Sequence, residues 1–160
     1  MKTRFLLPFL FIGLFVSCDD SDDDPQSSNQ NVSIQAGEIN ATDEAKVKMI
    51  MDGGTSRTWT AEAFTLGGQT NFTACRYDDQ MVFNSDGTYN YDGGSDLCGA
   101  EDNQQFKTGT WEVDFNNLLI VFDNGTANEV SAEIIGLTEN EVRLETSYMM
   151  MEVRGIYSSN

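Results

Sequence analysis

The amino-acid sequence predicts an all-β fold: an eight-stranded antiparallel up-and-down barrel with a short N-terminal helix closing one end. From Arg57 to the C-terminus, apolar and polar residues alternate in short runs, which is the period of half-buried strands. The runs are separated by turns and not by helical patterns, so we expect consecutive strands to pair antiparallel. Eight such strands are enough to close a barrel, which removes the exposed edges of an open sheet.

The chain divides into three parts by composition. Lys2 and Arg4 precede the apolar run 5–16, an order typical of a secretory leader, and the run is too short to cross a membrane as a helix. Residues 19–42 have no aromatic side chain and begin with a block of acids, which is typical of disorder. We therefore predict a signal peptide over residues 1–17, an acidic disordered tether over 18–42 and one barrel domain over 43–160.

The end of the leader carries a second signal. Residues 14–18 read LFVSC and resemble the lipobox of bacterial lipoproteins, which implies that Cys18 is acylated and begins the mature chain. The alternative is a secreted protein cut nearby, with Cys18 incidental. The block SDDD over residues 21–24 resembles the export signal of Bacteroidetes lipoproteins, and the alternative is a solvated acidic linker. These resemblances imply a lipid-anchored outer-membrane protein displayed on the cell surface.

The cysteine count supports the same interpretation. The chain has three cysteines, and an exported protein with an odd number needs a use for the remaining thiol. If Cys18 is acylated, Cys75 and Cys98 remain, and a disulfide between them suits an oxidising compartment. Closing a loop of this size stabilises a fold by about 3 kcal/mol on chain-entropy grounds.

The charge and the lack of histidine exclude several classes of function. The net charge is −17 at pH 7 and the chain has no histidine, so a nucleic-acid partner, a Ser-His triad and most transition-metal sites are excluded. We predict no enzyme, no cofactor and no metal. The acidic loop over residues 92–102 matches no calcium-loop spacing, and a solvated loop is the simpler interpretation. Strand alternation also places five glutamates on the outer face, namely Glu62, Glu112, Glu133, Glu145 and Glu152.

A short helix is expected before the first strand. Thr42 is the predicted N-cap, acids follow it in the first turn, and the pair Gly53-Gly54 ends the helix. A helix of this length is not stable alone and must dock on the barrel. Its apolar stripe consists of Val47, Ile50 and Met51.

The spacing of the strands also fixes which connections share an end of the barrel. In an up-and-down meander the connections alternate between the two ends, so the long connections that contain Cys75 and Cys98 fall together at one end. The helix falls at the other end, with the short turns. We expect the strands at about 57–64, 79–84, 88–92, 106–115, 118–123, 129–137, 141–146 and 149–157.

Three short motifs then point to a family. The sequences TW at residues 58–59, FNSDGTY at 83–89 and GTW at 109–111 resemble, in their order and spacing, the lipocalin-like domains of bacterial lipoproteins. The resemblance covers roughly residues 57–157. Lipocalins usually carry glycine two residues before the tryptophan, where this chain has Arg57. The resemblance implies that an arginine of the last strand, Arg154, packs against Trp59 at the barrel base, and the alternative is a solvent-facing arginine.

The barrel interior is the candidate binding site. Near the long-loop end, the inward residues predicted by alternation mix small side chains with methionine and tyrosine, which suits a cavity for a small hydrophobic or amphipathic ligand. The alternative is a barrel filled by its own side chains, whose acidic loops contact a protein or glycan outside the cell. We expect a monomer. The predicted ligand-binding residues are Ala63, Met81, Tyr91, Phe122, Ala132 and Met151.

Overall fold

The computed structural model describes residues 33–70, 74–97 and 106–159. Each strand pairs antiparallel with its neighbour in sequence, and the first pairs with the last, so the sheet closes into an eight-stranded up-and-down barrel. The predicted fold class is therefore confirmed. The elements are α1 (Glu44–Asp52), β1 (Ser56–Leu66), a 3-10 helix (Ala74–Arg76), β2 (Gln80–Asn84), β3 (Thr88–Asp92), β4 (Phe106–Asp114), β5 (Leu119–Phe122), β6 (Val130–Leu137), β7 (Glu141–Tyr148) and β8 (Met151–Ser158).

The two ends of the barrel differ, as the connection lengths predicted. The closed end has α1 and the β2–β3, β4–β5 and β6–β7 turns, and the open end has the other four connections. The β2–β3 turn shows why the closed-end connections are short. Gly87 has a φ of +81°, and the Asp86 carboxylate accepts from the Thr88 N–H at 2.9 Å, so both residues favour a tight reversal.

Helix α1 begins one residue later than the sequence predicted. Asp43, not Thr42, is the N-cap, because its carboxylate accepts from the Lys46 N–H at 2.9 Å, as an N-cap must. Gly53 ends the helix in the left-handed conformation. Across the described residues, no helix is long and apolar enough to cross a membrane. The predicted apolar stripe is fully buried in the core: Val47, Ile50 and Met51.

The core fills the half of the barrel nearest α1. Aromatic side chains dominate it, with Phe83 and Trp111 packed edge to face at 5.0 Å and Tyr89 and Phe122 at 5.1 Å between ring centres. Burying each such side chain contributes about 1.5–3 kcal/mol. Aliphatic residues of β5, β6 and β7 complete the core, among them Ile120, Ile134, Leu137, Val142 and Leu144.

Part of the predicted tether is ordered against the barrel. Residues 33–41 lie along the end of β6, where Ile39 forms a parallel bridge with Leu137 and the Gly37 N–H donates to the Ile135 carbonyl at 2.7 Å. Ile34 is only 3% exposed. The composition of this segment is typical of disorder, but a bulge in β6 between Ile134 and Gly136 leaves backbone groups that the segment satisfies. The tether prediction for residues 18–32 lies outside the described residues.

A bulge in β1 changes which residues face inward. The register between β1 and β8 shifts between Ala61 and Ala63, so Glu62 is an extra residue and the alternation inverts after it. Ala63 consequently pairs with Ile156, while Phe64 pairs with the buried Gly155. Paired residues share a face of the sheet. Ala63 therefore faces outward, and its prediction as an inward ligand-binding residue is wrong.

Candidate functional site

A polar cluster lines the inner wall near the open end, on the β1–β3 side. Arg76 Nη1 donates to the Tyr91 hydroxyl at 2.8 Å and lies 3.3 Å from Asp79 Oδ2. The Tyr91 hydroxyl donates to the same carboxylate oxygen at 2.6 Å. Tyr91 pairs with Met81, which packs on the core, so its ring faces inward. The guanidinium also lies 6.0 Å from the centre of the Phe64 ring, so the 3-10 helix places Arg76 against β1 and β3.

A second polar cluster lies on the β3–β5 side. Asp123 accepts from the Thr110 N–H at 3.0 Å and the Tyr89 hydroxyl at 3.2 Å, and its Oδ2 lies 3.4 Å from Lys107 Nζ. These donors hold the pKa of Asp123 below its usual value, with the Thr110 hydrogen bond the largest cause. Tyr89 raises the pKa of Lys107, and Asp123 adds to this. Gly109 leaves the space for this contact, since a Cβ there would lie 1.9 Å from Asp123 Oδ1.

The remaining side of the open end is apolar. Val130, Tyr148 and Met151 occupy inward positions at the ends of β6, β7 and β8, because Val130 pairs with the buried Phe122 and Tyr148 with Met151. They are nevertheless 46%, 55% and 42% exposed. The core of the described residues therefore does not cover these inward apolar side chains, which leaves them accessible for a contact. We call these three residues the apolar rim.

Below the mouth the barrel is filled. Among the residues that the structure describes, a gap between inward side chains at this level does not admit a water molecule. Burial raises the pKa of Tyr157 at this level to about 12, and the nearby Asp79 carboxylate adds to the effect. Any ligand must therefore sit above this level. The gap is lined by Trp59, Met81, Phe83, Val142, Leu144 and Tyr157.

The predicted ligand-binding residues do not form one cluster. Met81 lines the narrow gap, and Tyr91 belongs to the first polar cluster. Phe122 and Ala132 are 8% and 5% exposed and belong to the core. Met151 belongs to the apolar rim. Of the set, Tyr91 and Met151 reach the open mouth, on opposite sides of it, and Ala63 faces outward.

The base of the barrel is closed by a different arginine from the one expected. Arg154 pairs with Thr65 near the far end of β1 and bonds to Glu145 Oε2 at 3.0 Å and the Ile34 carbonyl at 2.6 Å. Its register places it several residues along β1 from Trp59. Arg57 instead lies over the Trp59 ring, 5.7 Å from its centre. The predicted contact between Arg154 and Trp59 is therefore wrong.

The two long connections meet at the open end, as the topology predicted. Asp78 Oδ2 accepts from the Ser95 N–H at 2.6 Å and the Asp96 N–H at 3.1 Å, which joins the β1–β2 and β3–β4 connections. These hydrogen bonds lower the pKa of Asp78, with that from Asp96 the largest cause. Cys75 lies in the 3-10 helix of the first connection. Cys98 and the predicted lipidation site Cys18 lie outside the described residues, so the disulfide and the acylation stay predictions.

The charged residues of the mouth were missed by the sequence interpretation, although one signal pointed to them. Lys107 has the same parity as Gly109 and Trp111 on β4, so alternation places it on the inner face, and a charge at an inward position is unusual. Arg76 carries no such signal, because it belongs to a loop. Asp123 has a φ of +53°, and this conformation was not readable from the sequence.

These observations define a class of protein: a closed up-and-down barrel of eight strands, with a helix docked at one end and a buried tryptophan on the first strand beside it. A family model described as a lipocalin-like domain matches residues 54–144. The match spans more than half of the chain, which therefore belongs to the lipocalin-like domain family. A search of curated proteins found no match.

Proposed function

We propose that this protein binds a small amphipathic molecule in the upper half of its barrel. The observation that carries the proposal is the division of the mouth into two sides. One side has the Arg76 guanidinium, the Tyr91 hydroxyl and the Lys107 ammonium, and the other has the apolar rim. A ligand with a polar head and an apolar body would satisfy both sides, since binding sites combine apolar walls with a few fixed polar groups.

The filled lower half limits the ligand to a shallow position. The gap lined by Trp59, Phe83 and Tyr157, among others, leaves no room for water, so an apolar tail cannot extend to the helix without moving packed aromatic rings. We expect the tail to lie against Val130, Tyr148 and Met151 and the head to lie near Arg76. Lipocalin-like membership supports ligand binding in general but leaves the ligand open.

We also propose that the protein is a lipoprotein, anchored through acylated Cys18 and displayed on the outer membrane. The support is the LFVSC sequence at residues 14–18 and the acidic block that follows it. A net charge of −17 would repel anionic headgroups, so attachment has to come from acyl chains, which gain about 0.8 kcal/mol per buried CH₂. Palmitate labelling that is lost in Cys18→Ala would support this anchor, and unchanged labelling would contradict it.

A second candidate function is a filled barrel that contacts a protein or glycan. The observation that favours it is the same lack of space below the mouth. In this case the mouth would hold no small molecule. Neither the unsubstituted protein nor variants of the apolar rim would then bind one.

Titration with the fluorescent amphipath anilinonaphthalene sulfonate tests the ligand site. We expect saturable binding that Arg76→Gln and Met151→Ser each weaken by about tenfold, the cost of one lost charged hydrogen bond or buried side chain. The matched control is Met49→Ser, because Met49 is 54% exposed on α1 at the closed end. Probe binding that does not saturate, or that Met49→Ser weakens equally, would reject the site.

A further inference from the structure

The β7–β8 hairpin ends in a strongly apolar, exposed tip. Met149 is 71% exposed and Met150 is fully exposed at 101%. They are flanked by Tyr148 and Met151 of the apolar rim, so four consecutive large side chains present apolar surface at the open end. We call residues 148–151 the methionine tip. Single exposed apolar residues are ordinary on protein surfaces, but a contiguous patch marks a contact site.

The backbone of the tip does not favour these residues. Met149 and Met150 have φ values of +48° and +66°, which is the pattern of a two-residue turn that usually holds Asn-Gly. Side chains with a Cβ adopt this conformation at a cost in energy. Local turn chemistry therefore gives no reason for methionine at either position, whereas a contact made by the side chains does.

We propose that the methionine tip inserts into the interfacial layer of a zwitterionic lipid bilayer, which has no net charge, with the open end of the barrel facing the membrane. The tip has no charged side chain, and Met149 and Met150 are its most exposed residues, so it fits a deformable apolar phase. Tyr148 has the apolar ring and polar hydroxyl that suit the membrane–water boundary. Anionic lipid is disfavoured by the net charge of −17.

The course of the N-terminal segment agrees with this orientation. Arg154, midway along β8, donates to the Ile34 carbonyl, and the chain then runs toward the closed end, where the Asn40 N–H donates to the Leu137 carbonyl. The N-terminal end of residues 34–40 therefore points toward the open end. The 16 residues from 18 to 33 could span at most about 55 Å if fully extended, which is enough to reach a membrane there. This orientation rests on the proposed anchor at Cys18, but insertion of the tip does not.

Depth-dependent fluorescence quenching tests the insertion without relying on acylation. The chain from Asp19 onward, with a hexahistidine tag at its N-terminus, is held on phosphatidylcholine vesicles that contain nickel-chelating lipid. Met150→Trp reports on the tip, and Met49→Trp is the matched control at the closed end. After subtraction of the signal of the unsubstituted chain, we expect Met150→Trp to shift to the blue and to be quenched by brominated phosphatidylcholine several-fold more than Met49→Trp. Equal quenching would overturn the proposal.

A second variant keeps the barrel folded while it removes the apolar side chains. Met149→Asn combined with Met150→Gly provides the residues that the turn favours. Imidazole should release this variant from the vesicles several-fold faster than the unsubstituted chain, because its only contact is the tag, and equal release rates would contradict insertion. If the unsubstituted chain is a dimer in solution and the variant a monomer, the tip joins two copies and the lipid assignment is wrong. Failed palmitate labelling would reject the anchor alone.

Discussion

The guanidinium of Arg57 lies 5.7 Å from the centre of the Trp59 ring, and this contact joins the helix to the barrel. Arg57 Nη1 also donates to the carbonyls of Ile50 at 2.8 Å and Glu139 at 2.9 Å. Trp59 Nε1 donates to the Met51 carbonyl at 2.8 Å. Carbonyls in the last turn of a helix have no partner within it, so the two side chains satisfy groups that would otherwise be buried without hydrogen bonds.

Removing Arg57 should therefore loosen the closed end. We expect Arg57→Ala to lower the free energy of unfolding by about 2–3 kcal/mol, since it removes charged hydrogen bonds and a cation–π contact. Lys48→Ala is the matched control, because Lys48 pairs with Glu44 on the exposed face of α1 and should cost only about 0.5 kcal/mol. Urea unfolding measures both. A loss no larger than that of the control would show that Arg57 does not close the base.

The second polar cluster should be sensitive to a single methyl group. Gly109→Ala would place a Cβ 1.9 Å from Asp123 Oδ1 and 2.7 Å from the Tyr89 ring, so the cluster must break or β4 must shift. We expect a loss of roughly 3 kcal/mol or more in the free energy of unfolding, as for overpacking plus a broken polar network. The control is Gly125→Ala, in a turn where no atom lies within 4 Å of the added Cβ, so that only the left-handed backbone, with a φ of +74°, costs about 1–2 kcal/mol. Comparable losses for both glycines would contradict a special role for the Gly109 contact.

Tyr157 should make the fold sensitive to high pH. Its pKa is raised to about 12 by burial and by Asp79, whereas in the unfolded chain it is near 10. The stabilising contribution is complete below pH 10 and is lost as pH rises toward 12, at about 1.4 kcal/mol per pH unit. Tyr157→Phe should remove this part of the slope. Phenolate absorbance of the folded protein checks the assignment, and full ionisation of all tyrosines near pH 10 in the unsubstituted protein would refute it.

The side chains of Met149 and Met150, which we propose contact the membrane, should lower the stability of the fold. Met149→Asn with Met150→Gly relieves two left-handed residues, and each costs roughly 1–2 kcal/mol in a residue with an ordinary side chain. We expect the melting temperature to rise. Calorimetry measures the change, and an unchanged or lower melting temperature would mean that the turn tolerates methionine without cost.

Much of the fold could be predicted from the sequence because the local signals agree with one another. Strand alternation around Trp59 and Trp111 and the Asp86-Gly87 turn all indicate the same meander, which the closed barrel confirms. The errors have specific causes. The bulge at Glu62 inverts the alternation without a glycine or proline to mark it, so Ala63 was placed on the wrong face.

The candidate site was less predictable, because its residues depend on tertiary contacts. Arg76 reaches the barrel from a loop, and Asp123 is directed inward by an unusual backbone conformation. Residues 33–41 have no aromatic side chain, yet they are ordered because their backbone satisfies groups at the β6 bulge. Neither effect leaves a periodic pattern in the sequence.

Native mass spectrometry of the purified protein tests whether the open mouth binds a small amphipathic molecule. We expect a fraction of the protein to carry an additional mass that collisional activation releases. The double variant Tyr148→Ser with Met151→Ser should lose that mass while keeping the circular dichroism spectrum of the folded barrel. If the unsubstituted protein appears only at its own mass after purification and after incubation with amphipathic probes, the proposed binding is contradicted.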